Sequence, residues 1–347
     1  MNERTRVLVV DDSGFVRAVV SKKLESDPGI EIVGVANDGI DAIEKVRALK
    51  PDVITLDVMM PRMDGLTFLE HIMSECPTPV VMLSALTSEG ADISMKALEL
   101  GAIDFFLKPS ILNPVGDDNS ITDLISKIKV AAKARLGTKK LACSGTAQHK
   151  EENNADARNR SYQRTIVIGT STGGPRALMQ LIPDLPIHIP ASILVVQHMP
   201  PMFTKSLAER LDDASQLEVR EARAGDKIRP GLVLIAPGNY HMVVTRGNRV
   251  MLNQEPPACG VRPSVDITME SVAKTYGSNC LGVVLTGMGV DGTKGASCIK
   301  AAGGKVLVED ESTCAVYGMP MSIVNAGYAD KVLPLQRMAS EIVQMCS

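Results

Sequence analysis

The chain is 347 residues long, with 45% apolar residues, 22% charged residues and a formal net charge of -3 at pH 7. That length exceeds one ordinary core at about 150 residues per domain, so two domains are expected, and the balance excludes a disordered or fibrous chain. A near-neutral charge gives no electrostatic reason to expect nucleic acid, whose binding needs a concentrated basic face.

The opening residues, Met1-Asn2-Glu3-Arg4-Thr5-Arg6, run straight into a short apolar strand, without the longer apolar region and small-residue cleavage site of a signal peptide. No run approaches a membrane span. The seven cysteines, Cys76, Cys143, Cys259, Cys280, Cys298, Cys314 and Cys346, are scattered and never spaced as CxxC, which predicts neither a disulfide framework nor a zinc site. We therefore expect a cytoplasmic monomer with reduced thiols that does not insert into a membrane.

From Arg6 to about Arg135 the sequence alternates apolar runs with helical patterns. RVLVV, EIVGVA, DVITL, PVVMLS and DFFLK read as strands, while Phe15, Val16, Val19, Val20 and Leu24 recur at helical spacing. Strands that are apolar throughout imply burial on both faces. The pattern predicts a doubly wound parallel sheet of five βα units over residues 1–136. Residues 137–163 lose both periodicity and apolar content and read as a linker.

From 164 to 347 a second α/β pattern begins with TIVIG, followed by a helix from about Pro175, the strand ASILVVQ and a helix from about Thr204. Between Glu218 and Gln254 the pattern changes to short strands and turns, with a hairpin of HMVVT against RVMLN expected. Alternation resumes with CLGVVLTG, a helix from about Thr293, and KVLVED. A Rossmann-like α/β domain with an inserted hairpin region is expected.

In the first half, Asp11 and Asp12 follow strand one, while Asp57, Ser84 and Lys108 end strands three, four and five. All lie at the carboxyl edge, where open α/β sheets bind ligands. Three carboxylates there call for a hard cation such as Mg2+. A lysine and a hydroxyl converging on them suit the oxygens of a phosphoryl group, and an aspartate can accept it covalently. Taken singly, each aspartate could instead be a helix cap or turn former.

VDDS, LDVMMPRMDG, Ser84-Ala85 and Lys108-Pro109 resemble the receiver domains of two-component response regulators. The resemblance implies that Asp57 is the phosphoacceptor, that Asp11 and Asp12 hold Mg2+ with it, and that Ser84 and Lys108 read the phosphoryl group. It also implies a cis Lys108–Pro109 peptide. Phe105 stands at the aromatic switch position where tyrosine is common, which removes a hydrogen-bonding phenol from the switch.

In the second half, Ser171 sits in Gly169-Thr170-Ser171-Thr172-Gly173-Gly174 directly after a strand. A serine held exposed on a strained strand-to-helix turn suits a nucleophile; the same glycines could cradle a phosphate. A dinucleotide site, however, wants an acid at the end of the next strand, where this chain has Gln197-His198. His198 is the best base, because adjacent parallel strands would bring it to the edge that carries Ser171. Asp291, in Thr286-Gly287-Met288-Gly289-Val290-Asp291-Gly292, is the best orienting acid. It could instead cap the helix near Thr293; Asp266 is the rival acid and His241 the rival base.

The order Ser171, His198, Asp291 is not the serine, acid, histidine order of α/β-hydrolases, so the GxSxG match does not license that fold. Receiver, linker, GTSTGGP, QHMPPMFT, APGNYHM, RPSVD and TGMGVDG, in that order, resemble the CheB family of chemotaxis protein-glutamate methylesterases. The resemblance implies Ser171 as nucleophile, His198 as base and Asp291 as its partner. It further implies backbone N–H groups of Thr172 and Met288 as the oxyanion hole. Hydrolysis of glutamate γ-methyl esters on chemoreceptors, with deamidation of receptor glutamines, would follow, with no cofactor for the ester step. The domain pairing suggests that an unphosphorylated receiver covers the serine site until a histidine kinase phosphorylates Asp57. A DNA-binding output or a dinucleotide enzyme are the rivals, and neither explains His198 and Asp291 as economically.

Overall fold

Short β-branched runs separated by capped helices build two units, Met1–Thr138 and Lys139–Ser347, in a computed structural model that describes residues 4–112, 118–134 and 164–346. The stretch read as a linker, 137–163, lies outside the described residues.

In the first unit β1 (Thr5–Val10), β2 (Ile30–Ala36), β3 (Val53–Asp57), β4 (Val80–Ser84) and β5 (Asp104–Leu107) pair in parallel in the order β2-β1-β3-β4-β5. Helices α1 (Gly14–Leu24), α2 (Gly39–Leu49), α3 (Gly65–Glu75), α4 (Ser88–Leu100), α5 (Lys108–Leu112) and α6 (Asp118–Ala131) follow or separate them. Val7, Val9, Val81 and Leu83 are fully buried against α1 and α6 residues such as Val20 and Leu124. Side-chain oxygens of Ser13, Asp38, Asp64 and Thr87 accept from the first backbone N–H groups of α1 to α4, satisfying donors that each helix start leaves open. The strand order reverses between β1 and β3, opening a crevice above their carboxyl ends.

The second unit has β6 (Arg164–Thr170), α7 (Gly174–Leu181), β7 (Ala191–Gln197), α8 (Phe203–Ala214), β8 (Glu218–Glu221) and β9 (Leu232–Ile235). The hairpin β10 (His241–Thr245) and β11 (Arg249–Asn253) comes next, then α9 (Val265–Tyr276), β12 (Cys280–Val284), α10 (Thr293–Ala301), β13 (Lys305–Glu309), α11 (Met319–Asn325), β14 (Lys331–Leu333) and α12 (Leu335–Cys346). Its parallel sheet runs β14-β13-β12-β6-β7-β9-β8, and β10 with β11 forms a separate antiparallel pair. The irregular region read between Glu218 and Gln254 therefore divides: β8 and β9 extend the main sheet, and the hairpin alone stands apart. Here the reversal falls between β6 and β12, which are buried throughout except for Arg164 at the start of β6.

Phe68 on α3 is fully buried, so Phe68→Ala should lower the unfolding free energy of the first unit by about 3–5 kcal/mol, read from urea denaturation of the full chain.

Candidate active site

At the reversal of the second sheet, Thr170 is the last residue of β6 and Ser171 begins the turn into α7. Ser171 N–H donates to Thr286 O at 3.1 Å, and Gly174 N–H donates back to Ser171 O at 2.8 Å. The left-handed residue of this turn is Gly173, with φ 79°, so the strain expected at the serine falls on a glycine, and Ser171 is half-buried rather than exposed. Gln197 Nε2 also donates to Ser171 O, at 2.9 Å; the side chain standing where a ribose-binding acid would be required instead fixes the serine turn.

β6 and β7 pair in register Thr170 with Gln197, and His198 N–H donates to Thr170 O at 3.2 Å, placing His198 beside Ser171 along the edge. The His198 Nε2 lies 2.8 Å from Asp291 Oδ2. That nitrogen carries the proton toward the carboxylate, which leaves Nδ1 as the lone-pair nitrogen. Asp291 is 2% exposed and accepts from Val265 N–H at 2.7 Å, Asp266 N–H at 3.0 Å and Ser264 Oγ at 2.9 Å. Burial opposes its charge, but the hydrogen bond and charge of His198, with the N–H groups of Asp266 and Val265, hold its carboxyl below the ordinary range. Asp291 thus caps α9, and toward α10, the helix of the alternative reading, it accepts from the N–H of Gly292 at 3.0 Å.

The cap of α10 comes from Asp266, whose Oδ1 accepts from Gly292 N–H at 2.9 Å and Gly295 N–H at 2.6 Å. The rival acid therefore faces α10, and the histidine is bonded to Asp291. The rival base His241 is fully buried, with its Nε2 donating to Pro256 O at 3.2 Å at the start of the hairpin.

Thr286 joins the serine turn to the TGMG loop. Its carbonyl accepts from Ser171 N–H and, at 3.0 Å, from Thr170 Oγ1, while its own hydroxyl donates to Thr172 O at 3.0 Å. A Cβ at Gly287 would fall 2.9 Å from the Ser171 Cβ, so only glycine permits this approach. Behind the loop, fully buried Glu309 accepts from Thr286 N–H at 2.7 Å and from Thr313 Oγ1 at 3.0 Å, and burial raises its pKa. Sequence reasoning missed Ser264, Thr286 and Glu309. Glu309 had a signal, an acid ending the apolar run KVLVE at the same sheet edge.

In the first unit, ligand oxygens of Asp11, Asp12 and Asp57 all lie within 4.8 Å of one another at the reversal between β1 and β3. Lys108 Nζ is 2.8 Å from Asp11 Oδ2 and 2.7 Å from Asp57 Oδ1. Asp11 Oδ2 is buried and, despite that ionic contact, makes no hydrogen bond of good angle among the described residues. Burial raises the Asp57 pKa against the Lys108 hydrogen bond. An all-oxygen set with a buried, under-satisfied carboxylate oxygen fits a hard divalent ion such as Mg2+. Ser84 lies at the same edge, but its hydroxyl donates to Gly90 O at 3.1 Å. Phe105 is 5% exposed, with the Lys127 ammonium 5.8 Å from its ring centroid. The Lys108–Pro109 peptide is not cis as expected: Lys108 opens α5, and proline fits the first turn of a helix in trans because its missing N–H is not needed there. The cis bond among the described residues is Arg262–Pro263.

Fold and sites define a response regulator whose output is a hydrolase-type α/β unit. The family profile described as the response regulator receiver domain matches residues 7–114, and the one described as CheB methylesterase matches residues 166–342. The chain is 50% identical to a protein-glutamate methylesterase/protein-glutamine glutaminase of Symbiobacterium thermophilum, over 98% of this chain and 96% of that protein. It is 43% identical to the protein of the same name from Thermotoga maritima, over 98% of both chains. The crystal structure of the Thermotoga maritima CheB methylesterase catalytic domain matches with a TM-score of 0.51 and 49% identity, covering 52% of this chain and 98% of that one. The chain belongs to the CheB methylesterase family.

Asp291→Ala orphans the Ser264 hydroxyl and two backbone donors. It should cost about 1–3 kcal/mol at pH 7. Because the folded pKa is depressed, this stability is present above the ordinary carboxylate value and is lost as pH falls through the lowered one. The difference between variant and parent should therefore shrink in urea titrations repeated at about pH 3.

Proposed function

We propose that this protein hydrolyses glutamate γ-methyl esters on chemoreceptors, with Ser171 as nucleophile, under the control of phosphorylation at Asp57. The observation that carries the reading is the His198 Nε2–Asp291 contact of 2.8 Å at the same sheet reversal as Ser171. The names of the relatives, protein-glutamate methylesterase/protein-glutamine glutaminase, supply the substrate class.

The Ser171 hydroxyl attacks the ester carbonyl as His198 Nδ1 takes its proton, and Asp291 stabilises the imidazolium that results. The oxyanion is met by backbone N–H groups of Thr172 and Met288. Collapse breaks the acyl C–O bond, and methanol leaves with the proton from His198. Water, deprotonated by the same nitrogen, then releases the glutamate carboxylate and restores Ser171. A glutamine side chain enters the same cycle with ammonia as the leaving group, which accounts for glutaminase activity.

In the receiver, Asp11, Asp12 and Asp57 would hold Mg2+, which when bound neutralises charge on the transferring phosphoryl oxygens. The Asp57 carboxylate attacks the phosphorus of a kinase phosphohistidine, whose N–P bond breaks, and Lys108 pairs with a phosphoryl oxygen thereafter. Among the described residues no helix is long and apolar enough to cross a membrane. We place the protein in the cytoplasm, where receptor helices and a chemotaxis histidine kinase meet it.

Methanol release from methylated receptor membranes tests both halves. Ser171→Ala should abolish release, and activity retained in that variant would sink the nucleophile assignment. Acetyl phosphate should raise release by the parent and not by Asp57→Ala; equal activity with and without the donor would refute the control. EDTA should remove the activation while leaving basal release in place.

A further inference from the structure

We propose that Asp266 is a positioning residue for the Asp291–His198 pair, its negative charge held beside Asp291 by an exchange of helix caps so that the cationic form of His198 is stabilised during turnover. The inference rests on the hydrolase reading above and adds a second carboxylate to it.

The exchange is reciprocal. Asp291, in the turn that leads into α10, accepts from Val265 and Asp266 N–H at the start of α9; Asp266, in the first turn of α9, accepts from Gly292 and Gly295 N–H at the start of α10. Ligand oxygens of the two carboxylates come within 4.8 Å of one another. Neither α9 nor α10 has a side-chain hydrogen bond from its own cap residue, Ser264 or Gly292; Val265 and Asp266 N–H are answered by Asp291, Gly295 N–H by Asp266, and Gly292 N–H by both aspartates.

Capping alone does not explain two acids. Serine or asparagine caps a helix as well as aspartate, and two buried carboxylates at this separation repel. A charge retained at that cost needs a counter-charge. Lys294, from the α10 side, is paired with Glu270 at 3.3 Å, as is Lys274 at 2.7 Å. Cys259, in the preceding turn, approaches Asp266 Oδ2 at 3.9 Å as a weak donor. His241 opens β10, which α9 packs through Thr268 Oγ1 and Met242 O, and its Nε2 is committed to Pro256. The positive charge that arises beside Asp291, with Asp266 on that carboxylate's far side as its neighbour, is the imidazolium of His198, formed when Ser171 gives up its proton. Two negative charges favour that state over the resting one more than Asp291 does alone, which lowers the barrier rather than tightening substrate binding.

Asp266 also has a signature of its own. Burial, opposed by the Gly295 N–H and reinforced by the Asp291 charge, pushes its pKa up to about 6. It is then charged at pH 8 and neutral at pH 5. Asp266→Asn keeps an oxygen for Gly292 and Gly295 and is neutral at both.

Methanol release should be followed from pH 5 to pH 8.5 for the parent, Asp266→Asn, Asp266→Ser and Ser171→Ala. At pH 8, Asp266→Asn is expected to lose about tenfold in kcat with KM unchanged. The ratio of parent to variant should fall toward one as pH drops through about 6. The melting temperature of Asp266→Asn at pH 8 should be no lower than that of the parent. A carboxyl with a raised folded pKa contributes stability below its unfolded value and loses it as pH rises, so the neutral amide escapes the loss. Asp266→Ser, which caps without charge, should repeat the pH signature if the asparagine variant misfolds. A ratio independent of pH, or parental kcat at pH 8, with Ser171→Ala inert, would overturn the role of Asp266 alone. Full activity in Ser171→Ala would overturn the hydrolase reading itself.

Discussion

The second unit depends on one buried carboxylate. Asp291 sits where the chain leaves β12, and the open N–H groups at the start of α9 hold it charged inside the protein. Without those donors, burial would drive the group toward its neutral form and it could not hold a histidine proton. With them, His198 is anchored at one ring nitrogen. The same turn that sets Asp291 sets the start of α10 and, through Gly287 and Thr286, the approach to Ser171. Helix packing, loop geometry and proposed chemistry are therefore one constraint rather than three.

The two units use one architectural device in different ways. Each places carboxylates above the carboxyl ends of parallel strands where strand order reverses, since the loops there diverge and leave room. In the receiver the aspartates sit close together and are countered by Lys108, with space for a hard cation. In the second unit backbone N–H groups and a histidine do the neutralising. Helix caps follow the same division. The receiver's α1 to α4 are closed by their own Ser, Asp or Thr side chains, whereas α7 to α10 have no side-chain hydrogen bond from their own cap residue, and at α9 and α10 aspartates from the other helix start accept instead.

Much of this was legible. The apolar run ASILVVQ announced its own boundaries, because a fully buried strand tolerates almost nothing but apolar residues, and the HMVVT/RVMLN hairpin was marked by the turn residues between its strands. Placing Asp57, Ser171, His198 and Asp291 at strand ends followed from those boundaries. Less legible were β8 and β9, whose four residues each carry too little periodicity to reveal which sheet they join. The cis expectation at Lys108–Pro109 failed because a short helix starts at that lysine, and a local motif does not report the helix that follows it.

By itself the sequence determined which residues reach the carboxyl edges, since that depends only on alternation and on where apolar runs stop. It ranked Asp291 above Asp266 as the partner of His198 but could not show what separates them, because both lie just before or within a helix start and both are natural caps. In the tertiary structure each aspartate serves the N-terminus of the other's helix, and of the two it is Asp291 that is hydrogen-bonded to His198. Hydrogen bonds between residues 25 to 29 positions apart in the chain are set by packing, and packing is not written in any local pattern.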